Sequence, residues 1–283
     1  MSRCVEIYEV GPRDGLQNEK RRIPVEDKVA LIDHLGRAGF RHIEVASFVS
    51  PKWIPQMADS GEVMKRIARV EGVAYAALTP NMRGLESAIS AQADEVAVFG
   101  SASEGFSKAN INSSVDESLK RFSPVVAAAV DAGMSVRGYV SCVVSCPYEG
   151  PVEPKQVARI AERLYQMGCR EISLGDTTGR ALPENIAKML DAVAERVPVD
   201  QLAGHYHDTT GRALENVEVS LEKGVRVFDA AAGGLGGCPY APGASGNVAT
   251  EAVHDRLTAL GYETGLNRDV IAKAALMARA MRA

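Results

Sequence analysis

Short β-rich apolar runs alternate with longer runs of helical period along the whole sequence. The runs with strand character cover residues 5–10, 42–46, 73–78, 95–99, 135–140, 171–174, 202–206 and 225–230. Helix candidates cover residues 25–38, 82–92, 116–132, 154–167, 183–197 and 212–223. Glycine follows four of these helices, directly before the next strand, at Gly39, Gly133, Gly168 and Gly224, which is a typical C-terminal helix signal. The pattern therefore indicates about eight similar βα units joined without a linker.

About eight βα units in 283 residues predict an α/β fold, a (β/α)8 TIM barrel with a short extra C-terminal helix. We expect residues 1–283 to form a single TIM-barrel catalytic domain, because 46% hydrophobic residues can fill one large core. A doubly wound open sheet is the main alternative. In a barrel the chemistry lies where the strands end in βα loops, so polar residues at those ends are candidates for a site.

Composition excludes several classes of partner. A formal net charge of -4 without a basic block argues against nucleic acid and against an anionic membrane surface. No apolar run approaches the roughly 20 residues that span a bilayer. The first strand begins almost at once, which leaves no room for a signal peptide, and five widely spaced cysteines do not suggest a disulfide framework. We expect a cytoplasmic protein.

The glycine-rich segment 233–247 lies between a strand-like run and a helix-like run over residues 248–260. So many glycines cost conformational entropy on ordering, and a simple connection could be much shorter. Cys238 lies in the middle of the segment and Asn247 ends it, which suggests a loop that closes over chemistry. Proline stands where a dinucleotide fingerprint has its third glycine, and no G-K-[ST] occurs, so nucleotide phosphate loops of both kinds are excluded.

A histidine pair ends the seventh predicted strand. His205 and His207 share a face, because alternate strand residues do, and they point into the barrel if Tyr206 points outward. A lone histidine at such a position is more often a core residue. Two protonated imidazoles would repel each other, and binding a divalent metal removes that problem. The pair therefore favours a metal site.

Arg13 and Asp14 follow the first strand. Such a pair is often only an ion pair that caps a loop, but Asp14 is also a hard oxygen ligand and Arg13 a charge for an anionic intermediate. Asn247 could add a carboxamide oxygen. Two imidazoles, a carboxylate and a carbonyl oxygen suit Mg²⁺, Mn²⁺ or Zn²⁺ better than they suit a sulfur-rich structural zinc site.

Two acids lie in otherwise apolar strand contexts, Glu44 in the second strand and Asp176 after the sixth. A buried carboxylate needs a partner, and Arg13 is the obvious shared one. A purely structural charge cluster is the alternative. Cys142 and Cys146 resemble half of a metal motif, but without a second cysteine pair we interpret them as packing or loop residues.

Taken together, these segments resemble the 3-hydroxy-3-methylglutaryl-CoA lyase family nearly end to end. The resemblance lies in VGPRDGLQNE at 10–19, SFVSPKW at 47–53, the segment from SC to CPYEG at 141–150, and GLGGCPYA at 234–241. The first and last are highly specific, and we know of no unrelated family that combines them. The resemblance implies a TIM barrel, a divalent metal that is usually Mg²⁺ or Mn²⁺, and a homodimer.

The resemblance also implies roles for individual residues. The implied metal ligands are Asp14, His205, His207 and Asn247. The residues given catalytic weight are Arg13, Glu44, Asp176, His205 and Cys238. The residues expected to contact the substrate or its CoA portion are Arg13, Gln17 and Asn110.

The implied reaction cleaves 3-hydroxy-3-methylglutaryl-CoA into acetyl-CoA and acetoacetate, a retro-Claisen step of leucine degradation and ketone body metabolism. A base takes the proton of the C3 hydroxyl, whose pKa metal coordination lowers. Arg13 would stabilise the resulting enolate, and Cys238 would protonate it. Asp176, His205 and a metal-bound water all remain possible bases.

Two loops depart from the better-known members of the family, at Thr178, Arg180, Thr210 and Arg212. They border the predicted site, so a lyase for a bulkier 3-hydroxy-3-acylglutaryl-CoA is an alternative. A related Claisen-type synthase for homocitrate or isopropylmalate is a further one, although those enzymes are typically longer and do not need the Cys238 loop. An inactive barrel that acts as a binding protein is disfavoured, because the whole set of site residues is intact.

Overall fold

A computed structural model describes residues 3–236 and 246–282, and within them eight parallel strands close into a barrel. The barrel strands are β1 (Glu6–Glu9), β2 (His42–Ser47), β3 (Ala74–Leu78), β4 (Glu95–Ser101), β5 (Ser135–Ser141), β8 (Glu171–Asp176), β9 (Leu202–Tyr206) and β10 (Val227–Ala230). The short strands β6 (Ser145–Cys146) and β7 (Gly150–Pro151) form a separate pair. The barrel order is β1-β10-β9-β8-β5-β4-β3-β2, and β2 pairs with β1 to close it. The predicted TIM barrel is confirmed, and the open sheet is excluded.

Helices surround the barrel. They are α1 (Val25–Leu35), α2 (Ser60–Arg66), α3 (Met82–Ser90), α4 (Glu104–Ile111), α5 (Val115–Asp131), α6 (Pro154–Met167), α7 (Pro183–Ala194), α8 (Ala213–Glu222), α9 (Thr250–Ala259) and α10 (Arg268–Met281). The predicted extra C-terminal helix is α10, which has 14 residues and packs against α1 and α9. None of the helices in the described ranges combines the length and the apolar character that a membrane crossing requires.

The glycine signals predicted the ends of α5, α6 and α8 to within one residue, whereas α1 ends at Leu35, three residues before the predicted end at residue 38. Gly39, Gly133, Gly168 and Gly224 all have positive φ angles, from 77° to 113°. The glycines after α5, α6 and α8 thus adopt the left-handed conformation that ends a helix, whereas Gly39 lies four residues beyond the end of α1. The antiparallel pair of β6 and β7 was not predicted, since two-residue strands carry no periodic signal.

The outer and inner faces of the barrel strands bury different kinds of side chain. The outer face packs apolar strand residues such as Ile43 and Ile172 beneath helix residues such as Leu31, in one large core. The inner face is strongly polar: Arg137 is fully buried there, and its guanidinium lies 4.0 Å from the centre of the Tyr8 ring. The core that stabilises the fold therefore lies between strands and helices, which leaves the barrel interior to charged groups.

Candidate active site

A short π-helical turn, Gly11–Gly15, follows β1 and holds Arg13 and Asp14 at the mouth of the barrel. The Arg13 and Asp14 amides both donate to the Val10 carbonyl, at 3.2 and 2.8 Å. A Cβ atom at Gly15 would lie 2.7 Å from Cβ of Leu235. Glycine is required there, because the turn contacts the start of the 233–247 segment this closely.

Asp14, His205 and His207 come together above the barrel interior. Each offers one ligand atom, and these atoms all lie within 4.8 Å of one another. The two imidazole centroids are 5.4 Å apart, whereas the Tyr206 hydroxyl points outward to Ser220 of α8, at 2.7 Å. The prediction that both histidines share the inner face is confirmed.

The chemical state of the three side chains fits a divalent metal. Nδ1 of His207 is buried and has no hydrogen-bond partner within the described ranges. Burial, helped by the neighbouring His205, lowers the pKa of His207 to about 4, so the ring is neutral as a metal ligand must be. Arg13 and the two histidines outweigh burial and lower the pKa of Asp14, which keeps its carboxylate charged. The nitrogen and oxygen donors suit Mg²⁺ or Mn²⁺.

Asn247 lies beside this cluster and is buried. Its Nδ2 donates to Oδ2 of Asp14 at 2.9 Å and to the Leu235 carbonyl at 3.3 Å, and its backbone bridges to His207. Asn247, the predicted fourth ligand, thus lies next to Asp14 with its side-chain nitrogen toward that carboxylate. A half turn of the amide group would present Oδ1 instead.

Besides Arg13, the predicted substrate contacts are Gln17 and Asn110, and these two differ in position. Nε2 of Gln17 donates to Oδ1 of Asp14 at 2.9 Å, so Gln17 helps to orient that carboxylate. Asn110 is exposed on α4 and, within the described part of the chain, takes no part in the hydrogen bonds around Asp14. The structure thus brings Gln17 into the cluster and leaves Asn110 outside it.

Arg13 is held between two carboxylates. Its Nε and Nη2 lie 2.7 and 2.5 Å from Oε2 of Glu44, and its Nη1 lies 2.7 Å from Oδ1 of Asp14. The Tyr139 hydroxyl also donates to Oε2 of Glu44, at 3.0 Å. Oε1 of Glu44 is buried with no partner among the residues that the structure describes. The predicted pairing of Arg13 with Glu44 is confirmed, and it fixes the guanidinium in one position.

The expected pairing of Arg13 with Asp176 is wrong. Oδ2 of Asp176 accepts from the Ala181 amide at 2.9 Å, and Oδ1 accepts from the Thr178 hydroxyl at 3.2 Å. Strand alternation is the reason: Ser173 points into the barrel, where its hydroxyl contacts Asp229, so Asp176 points to the other face. Burial raises the pKa of Asp176, and the loop amides oppose that shift.

Two predictions concern cysteines: a catalytic role for Cys238 and packing roles for Cys142 and Cys146. Cys238 lies outside the described residues. Cys142 and Cys146 are buried and pack against Phe106, as the packing interpretation expects.

Sequence reasoning missed Asp229 and Arg137. Oδ2 of Asp229 lies 2.9 Å from Nδ1 of His205, and Arg137 binds the same carboxylate. The available signal was the one used for Glu44, an acid inside an apolar strand, since Asp229 lies between Phe228 and Ala230.

Glu9 was also missed, although it ties together three elements at the mouth of the barrel. Its Oε1 accepts from the amides of Gly11 and Ala232, at 2.8 and 3.0 Å, and its Oε2 accepts from the Thr250 hydroxyl at 2.7 Å. These bonds join the turn after β1, the segment after β10 and the start of α9. Burial outweighs them and raises the pKa of Glu9 from 4.5 to about 7.

Glu9→Gln is expected to change how stability depends on pH. A folded-state pKa above the unfolded value means that the contribution of Glu9 to stability is full below about pH 4.5 and is lost as pH rises through about 7. The loss is at most about 3 kcal/mol, from 1.36 kcal/mol per pKa unit. Glutamine keeps both amide bonds and can donate to Thr250. Urea unfolding of both proteins at pH 5 and pH 8 should show the variant gaining relative to wild type at the higher pH, and a pH-independent difference would contradict this.

Similarity to known proteins agrees with the geometry. The family model described as HMGL-like matches residues 4–277. A hydroxymethylglutaryl-CoA lyase of Pseudomonas mevalonii is 53% identical over 95% of this chain and 90% of its own. A 3-hydroxy-3-isohexenylglutaryl-CoA/hydroxy-methylglutaryl-CoA lyase of Pseudomonas aeruginosa is 54% identical over the same shares, 95% and 90%. The crystal structure of the HMG-CoA lyase from Brucella melitensis is 60% identical, has a TM-score of 0.98 and covers 98% of both chains.

Proposed function

Because the chain belongs to the hydroxymethylglutaryl-CoA lyase (HMGL-like) family, we propose that it is a divalent-metal-dependent lyase that cleaves 3-hydroxy-3-methylglutaryl-CoA into acetyl-CoA and acetoacetate. The observation that carries this proposal is the cluster of Asp14, His205 and His207 beside the fixed charge of Arg13. This combination suits a retro-Claisen lyase, which must activate a hydroxyl group and stabilise an enolate.

The proposed metal ligands, which would hold Mg²⁺ or Mn²⁺, are Asp14, His205, His207 and Asn247. A bound metal ion would lower the pKa of the substrate's C3 hydroxyl. Neighbouring side chains hold the Asp14 carboxylate in a fixed orientation. Gln17 and Arg13 each occupy Oδ1 of Asp14, which leaves the orientation of its carboxylate little freedom.

Arg13 stabilises the enolate that forms on the thioester when the C2–C3 bond breaks. Contact with Glu44 and Asp14 raises the pKa of Arg13 despite its burial, so its charge is permanent. A fixed charge in a buried site needs no reorganisation when the negative charge develops. The bonds of Asp176 to its own loop argue against it as the base for the C3 proton and favour a role in holding that loop.

Cys238 is the proposed acid that protonates the enolate. The described ends of the 233–247 segment, which contains Cys238, support this role. Leu235 lies against Gly15, and Asn247 bonds to Asp14, so both described ends of the segment contact the site.

A bulkier C3 substituent is the second candidate. One relative carries isohexenylglutaryl-CoA in its name, and here a cavity of about 720 Å³ borders Thr178 and is lined by the apolar Val143, Val144 and Met189. To test this candidate, kcat/KM for the isohexenyl substrate is divided by kcat/KM for the methyl substrate. A preference for the bulkier substituent requires a ratio of one or more.

Further features of the proposal concern the protein as a whole. We propose a single catalytic domain over residues 1–283 that acts as a cytoplasmic homodimer in leucine degradation and ketone body metabolism. Cys142, Cys146 and Cys169 are free thiols, as a reducing compartment maintains them. Sedimentation equilibrium of the purified protein tests the dimer.

The test of the reaction is its product balance. Purified protein with 3-hydroxy-3-methylglutaryl-CoA and Mg²⁺ should release acetyl-CoA and acetoacetate in equal amounts, measured by mass spectrometry. A Claisen-type synthase would instead consume acetyl-CoA with a 2-oxo acid, and an inactive barrel would release neither product.

A further inference from the structure

We propose that Asp229, backed by Arg137, is a positioning residue that fixes the tautomer of His205 and so aims Nε2 of that ring at the metal site. The inference rests on the proposed function, because it concerns a ligand of the proposed metal centre. Among the described residues, the cluster of ligand atoms comprises Asp14, His205 and His207, so Asp229 acts through the histidine.

The contact between Asp229 and His205 is built into the sheet. The two residues are direct partners in the parallel pairing of β10 with β9. Oδ2 of Asp229 lies 2.9 Å from Nδ1 of His205, and both side chains are buried. Since Nδ1 is occupied, Nε2 is the nitrogen that remains for Asp14, His207 and a metal.

The partners of Asp229 determine which atom carries the proton. Arg137 binds the carboxylate with both terminal nitrogens, Nη2 to Oδ1 at 2.7 Å and Nη1 to Oδ2 at 3.0 Å. The Ser173 hydroxyl donates to Oδ2 at 2.8 Å. An ionised carboxylate only accepts hydrogen bonds, so Nδ1 of His205 must be the donor. The ring is thereby held with hydrogen on Nδ1 and a lone pair on Nε2, as in other carboxylate–histidine–metal arrangements.

Arg137 is itself held from several sides. Its Nε donates to Glu171 at 2.8 Å, its Nη1 donates to the Tyr139 hydroxyl at 2.9 Å, and its guanidinium lies over the Tyr8 ring. A guanidinium fixed in this way cannot turn away from Asp229. The orientation of His205 is therefore set by groups on the barrel interior and not by the loops around the site.

Glu171 provides a matched control. Asp229 and Glu171 are both buried carboxylates that pair with Arg137, but of the two it is Asp229 that contacts a histidine. Asp229→Asn and Glu171→Gln each remove one negative charge from the same arginine. The amide group that Asp229→Asn introduces can also donate to Nδ1 of His205, which would select the opposite tautomer with hydrogen on Nε2.

The experiment is Mn²⁺ binding, measured by calorimetric titration of the metal-free unmodified protein and both variants, with thermal unfolding of each. We expect both variants to lose stability. Asp229→Asn should lose Mn²⁺ affinity by about 10- to 100-fold, and Glu171→Gln far less, because its side-chain oxygen can still accept the bond from Nε of Arg137. Equal losses of affinity in both variants, or none in Asp229→Asn, would overturn the inference in favour of a structural charge cluster. No Mn²⁺ binding by the unmodified protein would overturn the proposed metal centre itself.

A second measurement does not depend on the folding of a variant. The nitrogen-15 shifts of the His205 ring in the unmodified, metal-free protein report the tautomer at a pH where the ring is neutral. We expect hydrogen on Nδ1. Hydrogen on Nε2 would contradict the positioning role whatever the titrations show.

Discussion

Replacing Arg13 with methionine is expected to lower the turnover of 3-hydroxy-3-methylglutaryl-CoA by about 10³-fold or more. Methionine fills similar space without charge, so the variant removes the group proposed to stabilise the enolate. The loss should appear in kcat far more than in KM, because the negative charge exists only beyond the ground state. The measurement is steady-state kinetics of acetoacetate release.

Arg13→Lys separates charge from geometry. Lysine keeps the positive charge but cannot contact Glu44 and Asp14 together, as the planar guanidinium does at 2.5 to 2.7 Å. Lysine should therefore restore only part of the activity. Turnover by Arg13→Met near that of wild type would remove Arg13 from the chemistry and leave it as a structural ion pair.

Cys238→Ala is expected to cut turnover by about 10²- to 10⁴-fold, the usual contribution of a general acid. Affinity for Mn²⁺ should be unchanged, because the proposed ligands are Asp14, His205, His207 and Asn247 and do not include the thiol. Cys4→Ala is the matched control, since Cys4 is exposed and lies at the opposite end of β1 from the Arg13 turn. It should retain full activity.

Near-normal turnover by Cys238→Ala would remove the thiol from the mechanism. A parallel loss of Mn²⁺ affinity would mean instead that the 233–247 segment supports the metal ligands, since Asn247 belongs to it. The two outcomes are distinguishable because affinity is measured without substrate.

The barrel was predictable because its signals are local. A strand, a helix of regular period and a closing glycine recur at short spacing, and each observed barrel strand overlaps a predicted one. The inward pair His205 and His207 was predictable for the same reason, since strand alternation requires only adjacent residues.

The errors concern contacts between distant residues. Arg137 and Asp229 are separated by 92 positions, and nothing local indicates that they meet inside the barrel. Asp176 was predicted to pair with Arg13 because a buried carboxylate needs a partner, but its face depends on the position at which β8 ends. Ser173 points into the barrel, so Asp176, three residues later on the same strand, lies on the opposite face. A shift of one residue along the strand would place Asp176 on the inner face and give it different partners.

The most direct test of the account is metal-dependent cleavage. The protein is treated with EDTA, separated from the chelator and assayed for acetoacetate from 3-hydroxy-3-methylglutaryl-CoA, before and after Mn²⁺ or Mg²⁺ is added. The account predicts no more than background product without metal and an ordinary enzymatic rate once metal is restored. Acetoacetate formed at an undiminished rate by the metal-free protein would contradict it, as would no release of acetyl-CoA by the metal-loaded protein from a substrate with either C3 substituent.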